Sequence, residues 1–233
     1  MGEVTSEAVE PAGSDVRGAA RVVVPEGVRA VLVDADGVVQ VNADDWLDRL
    51  RAFVPSDRAD AFVDDLFGAE QDAMCGRCSF EEVAAAVAER WGLGGRDADL
   101  VDHWRHAVVQ EDVLEVVRDL RAAGVPCHLA TNQNDVRAAY LREDLGYADR
   151  FDGLLVSCEL GATKDDPAFF EAALERLGLR PDQVVLVDDS EDHVRRAREA
   201  GLRGVRWEVG DGVDELRRRL AGAGCPGSAL RGR

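Results

Sequence analysis

The chain has 233 residues, 46% of them hydrophobic, and carries 28 Lys plus Arg against 46 Asp plus Glu for a formal net charge of −18. That length buries a full core, and one sheet-based domain with an insertion fits it better than two independent domains. So acidic a surface speaks against nucleic acid and anionic membranes as partners, because phosphate backbones are held by clustered cations. The five cysteines, an odd number, speak against a disulfide framework and for the reducing cytoplasm.

Taken in order, residues 1–27 are rich in Gly, Ala, Glu and Val without a sustained period and read as a mobile tail. No run approaches the ~18 apolar residues of a membrane span. A first strand is expected at 29–34, inside Val31-Leu32-Val33-Asp34-Ala35-Asp36-Gly37-Val38-Val39. From 41 to 110 the period turns helical: Trp46, Leu47, Leu50 and Phe53, then Ala61, Phe62, Leu66 and Phe67, then Phe80, Val83, Val87 and Trp91. Ser79 with Glu82 forms the pattern of a capping box for the third of these helices. Regular alternation follows: helix 112–123, strand 125–130, helix 135–144, strand 153–157, helix 167–177, strand 183–187, helix 191–200 and strand 203–207. Gly124, Gly178 and Gly201 sit just past helix ends. The fold expected is α/β: a doubly wound, parallel, Rossmann-like sheet built from 28–40 and 111–220, with an inserted α-helical domain at 41–110. Residues 221–233, with four Gly and one Pro, read as a frayed end.

Polar residues collect where strands end. Asp34 and Asp36, two apart, converge where the first strand opens into a loop, and Gly37 lets the backbone turn there. By itself this is also what an Asp-rich turn looks like. Thr131 and Asn132 follow one later strand, a loop holding Lys164 follows the next, and Asp188 and Asp189 follow a third. Ligands of open parallel sheets bind beyond the carboxyl ends of the strands. Of the 28 basic residues, Lys164 alone is Lys, so a compact ammonium is wanted there where a planar guanidinium serves everywhere else.

In this order, Asp-x-Asp-Gly, Thr, Lys and a pair of acids resemble the haloacid dehalogenase-like hydrolase superfamily, over residues 29–207. The inserted helices resemble the cap of one branch of that family. An acid two residues after the first, Asp36, is kept in its phosphatases and phosphomutases and is absent from its dehalogenases. The resemblance puts the first strand at the centre of the sheet, between the Thr131 and Asp188 strands. It implies Asp34 as nucleophile, Asp36 as general acid and base, and Thr131 with Asn132 on the transferring phosphoryl group. Lys164 would be the neutralising cation. Four acids in one cleft require more charge than Lys164 supplies, and hard oxygen donors suit Mg2+. The expected ligands are Asp34, Asp36 through its backbone carbonyl, Asp188 and Asp189.

The expected reaction is therefore hydrolysis of a small soluble phosphomonoester, by a monomer or homodimer. A phosphomutase, or a weakly catalytic binding protein that keeps the fold, are the alternatives. Gln40, Asn42, Asp44 and Trp46, directly after the nucleophile loop, are expected nearest the substrate, and hinges are expected near Val38–Val41 and Gln110–Val113. Two departures from the family pattern stand out: Asp165 replaces a proline after Lys164, and His193 replaces Asn or Asp. Cys75, Cys78, His103 and His106 also have spacings a zinc site allows. The plainer reading makes Cys75–Cys78 the turn before the Ser79 cap.

Overall fold

The computed structural model describes residues 27–230; the expected N-terminal tail up to residue 26, and residues 231–233, lie outside them. In chain order the elements are β1 (Ala30–Val33), β2 (Gln40–Val41), α1 (Trp46–Arg51), α2 (Ala59–Met74), α3 (Phe80–Trp91), α4 (Asp97–His103) and β3 (Val108–Val109). Then come α5 (Glu111–Ala122), β4 (Cys127–Thr131), α6 (Asp135–Glu143), α7 (Tyr147–Arg150), β5 (Gly153–Val156) and α8 (Ser157–Leu160). The chain closes with α9 (Pro167–Leu177), β6 (Val184–Asp188), α10 (Glu191–Glu199), β7 (Arg203–Arg206) and α11 (Val213–Gly222).

Five strands form one sheet in the order β5-β4-β1-β6-β7, parallel throughout, with Val31 beside Cys127 on one flank and Val185 on the other. β1 is the central strand. Its residues alternate between two cores, as a period of two requires. Val31 and Val33 join α5 and α11 on one face, whereas Leu32 joins Phe169, Phe170 and Ala197 on the other. With both faces covered, the inner strands β1 and β6 read as unbroken apolar runs up to their closing acids, whereas the edge strand β7 carries Arg203 and Arg206.

The insertion has its own core, rich in aromatic residues: Phe62, Phe80 and Trp104 are buried, with Trp46, Phe53 and Trp91 packed against them. It leaves and re-enters the sheet through a two-stranded antiparallel ribbon, Gln40 paired with Val109 and Val41 with Val108. The capping box is present, with Glu82 N–H donating to Ser79 Oγ at 3.1 Å and Ser79 N–H to Glu82 Oε2 at 2.9 Å. The ribbon and α4 are not legible in the sequence, the first because two residues a side carry no period.

The end expected to fray does not do so over its described part. Cys225, Ala229 and Leu230 are buried against the sheet's first core, because the chain after α11 folds back onto that face. Among the described residues no helix is long and apolar enough to cross a membrane, and the five cysteines are free.

Candidate active site

Three strands end in one place, and each hands its polar residues to a capped helix. Asn134 Oδ1 accepts from Arg137 N–H at 2.9 Å to start α6, and Asp166 caps α9 with Pro167 in its first turn. Ser190 caps α10. Helix N-termini therefore adjoin the carboxyl edge of the sheet, where they favour negative charge.

After β1 the chain turns tightly, Gln40 N–H donating to Ala35 O at 3.0 Å and Gly37 N–H to Gln40 O at 2.8 Å. Gly37 has φ +81°, and a Cβ there would lie 2.3 Å from Asp189 Oδ2. Only glycine fits, both for its backbone and for the carboxylate packed on it.

The turn leaves Asp34 and Asp36 in different surroundings. Asp34 is buried; Lys164 Nζ lies 2.8 Å from its Oδ1 and 2.5 Å from Asp188 Oδ2. Burial pushes the Asp34 carboxyl up to about 7, against the pull of Lys164 and with Asp188 adding to the rise. For Asp188 burial also acts upward, but Lys164 and His193 outweigh it and hold the carboxyl below its ordinary value. Burial likewise acts to lower Lys164, yet its two carboxylates keep it raised. Asp188 Oδ1 takes Ser190 N–H at 2.9 Å and faces His193 Nδ1 at 3.2 Å. Asp189, beside Gly37, is raised by burial and then by Asp188.

Asp36 meets another set of partners. Gln40 Nε2 and Arg137 Nη2 donate to its Oδ1 at 2.8 and 3.0 Å, and Gln133 Nε2 donates to its Oδ2 at 2.6 Å. Arg137 is itself buried, and its Nη1 donates to Trp104 O at 2.6 Å and His106 O at 2.8 Å. Its Nη2 also reaches Asn42 Oδ1 at 3.3 Å. One guanidinium thus ties the first loop of the core to both ends of the insertion.

The remaining expected residues fall as follows. Thr131 is buried at the end of β4 and accepts from Gln133 Nε2 at 3.3 Å. Asn132 Oδ1 accepts from Lys164 N–H at 2.8 Å and so fixes the lysine loop. Asp165, in the place of a proline after Lys164, is largely exposed and lies 3.8 Å from both His193 and Arg196. Asn42 and Trp46 line a cavity of about 160 Å³ between insertion and core, with Asp36, Asn132 and Glu70 on its other walls. Gln40 is corrected: it is fully buried, gives its amide to Asp36 and accepts from Tyr147 O–H at 3.1 Å, so it positions an acid and faces no substrate. Asp44 is exposed and does not line the cavity.

The only grouping of three His, Cys, Asp or Glu donors close enough for a metal, among the described residues, is Asp34, Asp188 and His193, within 4.8 Å of one another. Cys75, Cys78, His103 and His106 do not come together. Gly76 sits so close to Cys158 O that a Cβ would lie 2.1 Å away, which makes Cys75–Cys78 a docking turn. His103 packs against Trp46 with the rings tilted by 36° and 4.5 Å between centroids. Arg137, Gln133, Asn134 and Glu70 escaped sequence reasoning; Arg137 is one Arg among many, and its partner Asp36 is 101 residues away.

A family model described as haloacid dehalogenase-like hydrolase matches residues 24–201. Phosphoglycolate phosphatase of Neisseria meningitidis is 35% identical over 94 residues, 40% of this chain and 40% of that protein. A GMP/IMP nucleotidase of Escherichia coli is 31% identical over 97 residues, 42% of this chain and 44% of the other. The chain thus spans less than half the length of these curated relatives. Among solved structures, a HAD family enzyme of Bacteroides thetaiotaomicron superposes with a TM-score of 0.71 at 20% identity, covering 82% of this chain and 98% of that one. The L-2-haloacid dehalogenase of Xanthobacter autotrophicus does so with a TM-score of 0.59 at 19% identity, covering 87% and 86%. These likenesses speak for the fold alone, whereas the family match runs through β1, β4, β6 and every strand-end residue described above: the chain belongs to the haloacid dehalogenase-like hydrolases.

Proposed function

We propose that this chain hydrolyses a small phosphomonoester with Mg2+, by way of an aspartyl phosphate on Asp34. The observation that carries the reading is Lys164, the one lysine of the chain, buried between Asp34 and Asp188 at 2.8 and 2.5 Å. One ammonium facing two carboxylates, with Asp189 alongside, leaves the pocket short of positive charge, and its carboxylate oxygens are hard donors, His193 beside Asp188 being the one nitrogen. Asp34 and Asp188 would hold Mg2+, with Asp189 and the Asp36 carbonyl beside them. The ion supplies charge neutralisation for the phosphoryl oxygens. The Bacteroides relative has been crystallised with magnesium and inorganic phosphate, which supports that choice of ion.

In this reading an Asp34 oxygen forms a bond to phosphorus as the ester oxygen leaves and takes a proton from Asp36. Water then attacks the same phosphorus, gives its proton to Asp36, and phosphate departs as Asp34 is restored. Asp36 Oδ2 accepts from Gln133 alone, so it keeps a lone pair for the travelling proton. Lys164, Thr131 and Asn132 hold the phosphoryl oxygens, or the loops around them. The helical insertion acts as a lid that excludes water, hinged at the ribbon of β2 and β3. Support for a docked lid comes from Asn134 Nδ2 donating to Glu70 Oε1 at 2.7 Å and Phe80 N–H donating to Asp135 Oδ1 at 2.8 Å.

Phosphate release from p-nitrophenyl phosphate, with Mg2+ and after EDTA, tests the reading. Turnover that needs the metal is expected. Undiminished turnover after exhaustive chelation removes Mg2+ from the mechanism, and no turnover of any ester sinks the hydrolase reading.

A further inference from the structure

The cavity beneath the insertion has a carboxylate with nothing to hold. Glu70, on α2, is 8% exposed, and its Oε1 accepts from Asn134 Nδ2 at 2.7 Å and from Trp104 Nε1 at 2.8 Å. Its Oε2 has no hydrogen-bond partner among the described residues, and Glu70 lines the cavity. Burial raises this carboxyl above its ordinary value, against the pull of Asn134, Trp104 and Arg137 and with Asp36 adding to the rise. That oxygen is open to the cavity, not sealed in the protein, so a donor on a ligand can reach it.

The cations around the cavity are already committed. Both terminal nitrogens of Arg137 are taken, by Trp104 O and His106 O and by Asp36 and Asn42. Lys164 is engaged by Asp34 and Asp188. Trp104 Nε1 is spent on Glu70, and Trp46 Nε1 donates to His103 O at 3.3 Å. What faces the space is therefore aromatic surface, neutral amides, the engaged Arg137 and two carboxylates, Asp36 toward the core and Glu70 toward the insertion. Trp46, Phe67 and Trp104 line it together with Glu70, and aromatic faces beside an acid attract a cation. At about 160 Å³ the space falls below the ~300 Å³ at which pockets for drug-sized ligands begin. It takes a few heavy atoms and no nucleoside.

We infer that the substrate is a phosphorylated short amino alcohol, its phosphate at Asp34 and Lys164 and its ammonium at Glu70. This deepens the proposed function and rests on it. A carboxylate at the far end, as in phosphoglycolate, meets Glu70 as a like charge with no cation free to receive it.

The test compares 2-aminoethyl phosphate, glycerol 3-phosphate and phosphoglycolate on the wild-type protein with Mg2+, with p-nitrophenyl phosphate reporting separately whether the chain is a phosphatase. The expected kcat/KM for 2-aminoethyl phosphate exceeds that for phosphoglycolate by about tenfold or more, because a site built for a hydrogen-bonded group rejects analogues that leave it unpaired. Glu70→Gln, which keeps an oxygen for Trp104 and Asn134, is expected to bring the ratio between those two esters close to one. Phosphoglycolate turned over as well as 2-aminoethyl phosphate by the wild type overturns the inference. So does glycerol 3-phosphate matching the amine, because charge is then not what the cavity reads. Should none of the four esters be hydrolysed, the phosphatase reading falls; calorimetric affinities of the wild type for the three alkyl esters then decide on the cavity, with the same ranking expected and equal affinity for phosphoglycolate overturning it. The wild-type comparisons stand even if Glu70→Gln fails to fold.

Discussion

Asp34 and Asp36 are two residues apart and are served by different parts of the molecule. Around Asp34 everything belongs to the sheet and its helices: Lys164, Asp188 and, one step further, Ser190 and His193. Around Asp36 the partners reach across to the insertion, because Arg137 holds Asp36 with one nitrogen and the carbonyls of Trp104 and His106 with the other. The first cluster is fixed whenever the sheet is folded. The second exists in this form only while the insertion is docked. In the proposed reaction, bonding to phosphorus thus depends on the core alone, and protonation of the leaving group depends on core and lid together.

The largest effect is expected at Lys164. Lys164→Ala leaves Asp34 and Asp188 buried without their shared cation, and breaking such a pair destabilises by about 3–5 kcal/mol; urea denaturation reads that loss and phosphate release the loss of turnover. Lys164→Arg is expected to be nearly as damaging, since a forked guanidinium does not fit where one ammonium lies 2.5 and 2.8 Å from two carboxylates. Wild-type rates for the Arg variant would mean that charge alone matters there. Next comes Asp36→Asn, which should lower turnover of esters with poor leaving groups by ~10²- to 10⁴-fold and of p-nitrophenyl phosphate much less. Equal losses across leaving groups would remove Asp36 from proton transfer.

Arg137→Gln sharpens the comparison. Losing this clamp should give the leaving-group pattern of Asp36→Asn in weaker form and lower stability by about 1–3 kcal/mol through the unpaired carbonyls of Trp104 and His106. If p-nitrophenyl phosphate and an alkyl phosphate suffer alike, Asp36 does not depend on the lid. The last effect is confined to the insertion and shows only in acid, leaving stability at neutral pH unchanged. Burial first, then Arg49, pushes His103 down to about 4, and its Nε2 is buried without a partner. The unfolded chain then binds a proton that the folded chain does not between pH 6.5 and about 4, so stability rises with pH across that window and is lost as pH falls through it. His103→Phe, which keeps a ring packed against Trp46, should remove about 3 kcal/mol of that dependence. An unchanged slope in urea denaturations at pH 7 and 4.5 contradicts it.

How much of this was legible in the sequence follows the same division. Val31 to Val33 and Val184 to Val187 are apolar runs closed by polar residues, as is Cys127 to Ala130 but for His128, so the strands and the strand-end acids could be read directly, whereas the central place of β1 came from the family resemblance. Lys164 stood out because the chain has no other lysine. The Asp36 network did not, since Arg137 looks like any helical Arg and Glu70 like any solvated acid of an amphipathic helix. Their roles come from partners 101 and 64 residues away, which no local period encodes. Gln40 was misjudged for a related reason: closeness in sequence to the nucleophile put it near the site, but the tight turn after β1 points it inward to Tyr147.

The most direct measurement of the central claim is to locate the phosphoryl group. Wild-type protein incubated with Mg2+ and a turned-over phosphomonoester, quenched in acid and digested, should yield by tandem mass spectrometry a peptide spanning 30–49 that carries one phosphoryl group on Asp34, absent from the Asp34→Asn protein. A phosphoryl group on another residue, or Asp34→Asn turning over the ester at the wild-type rate, would contradict the account.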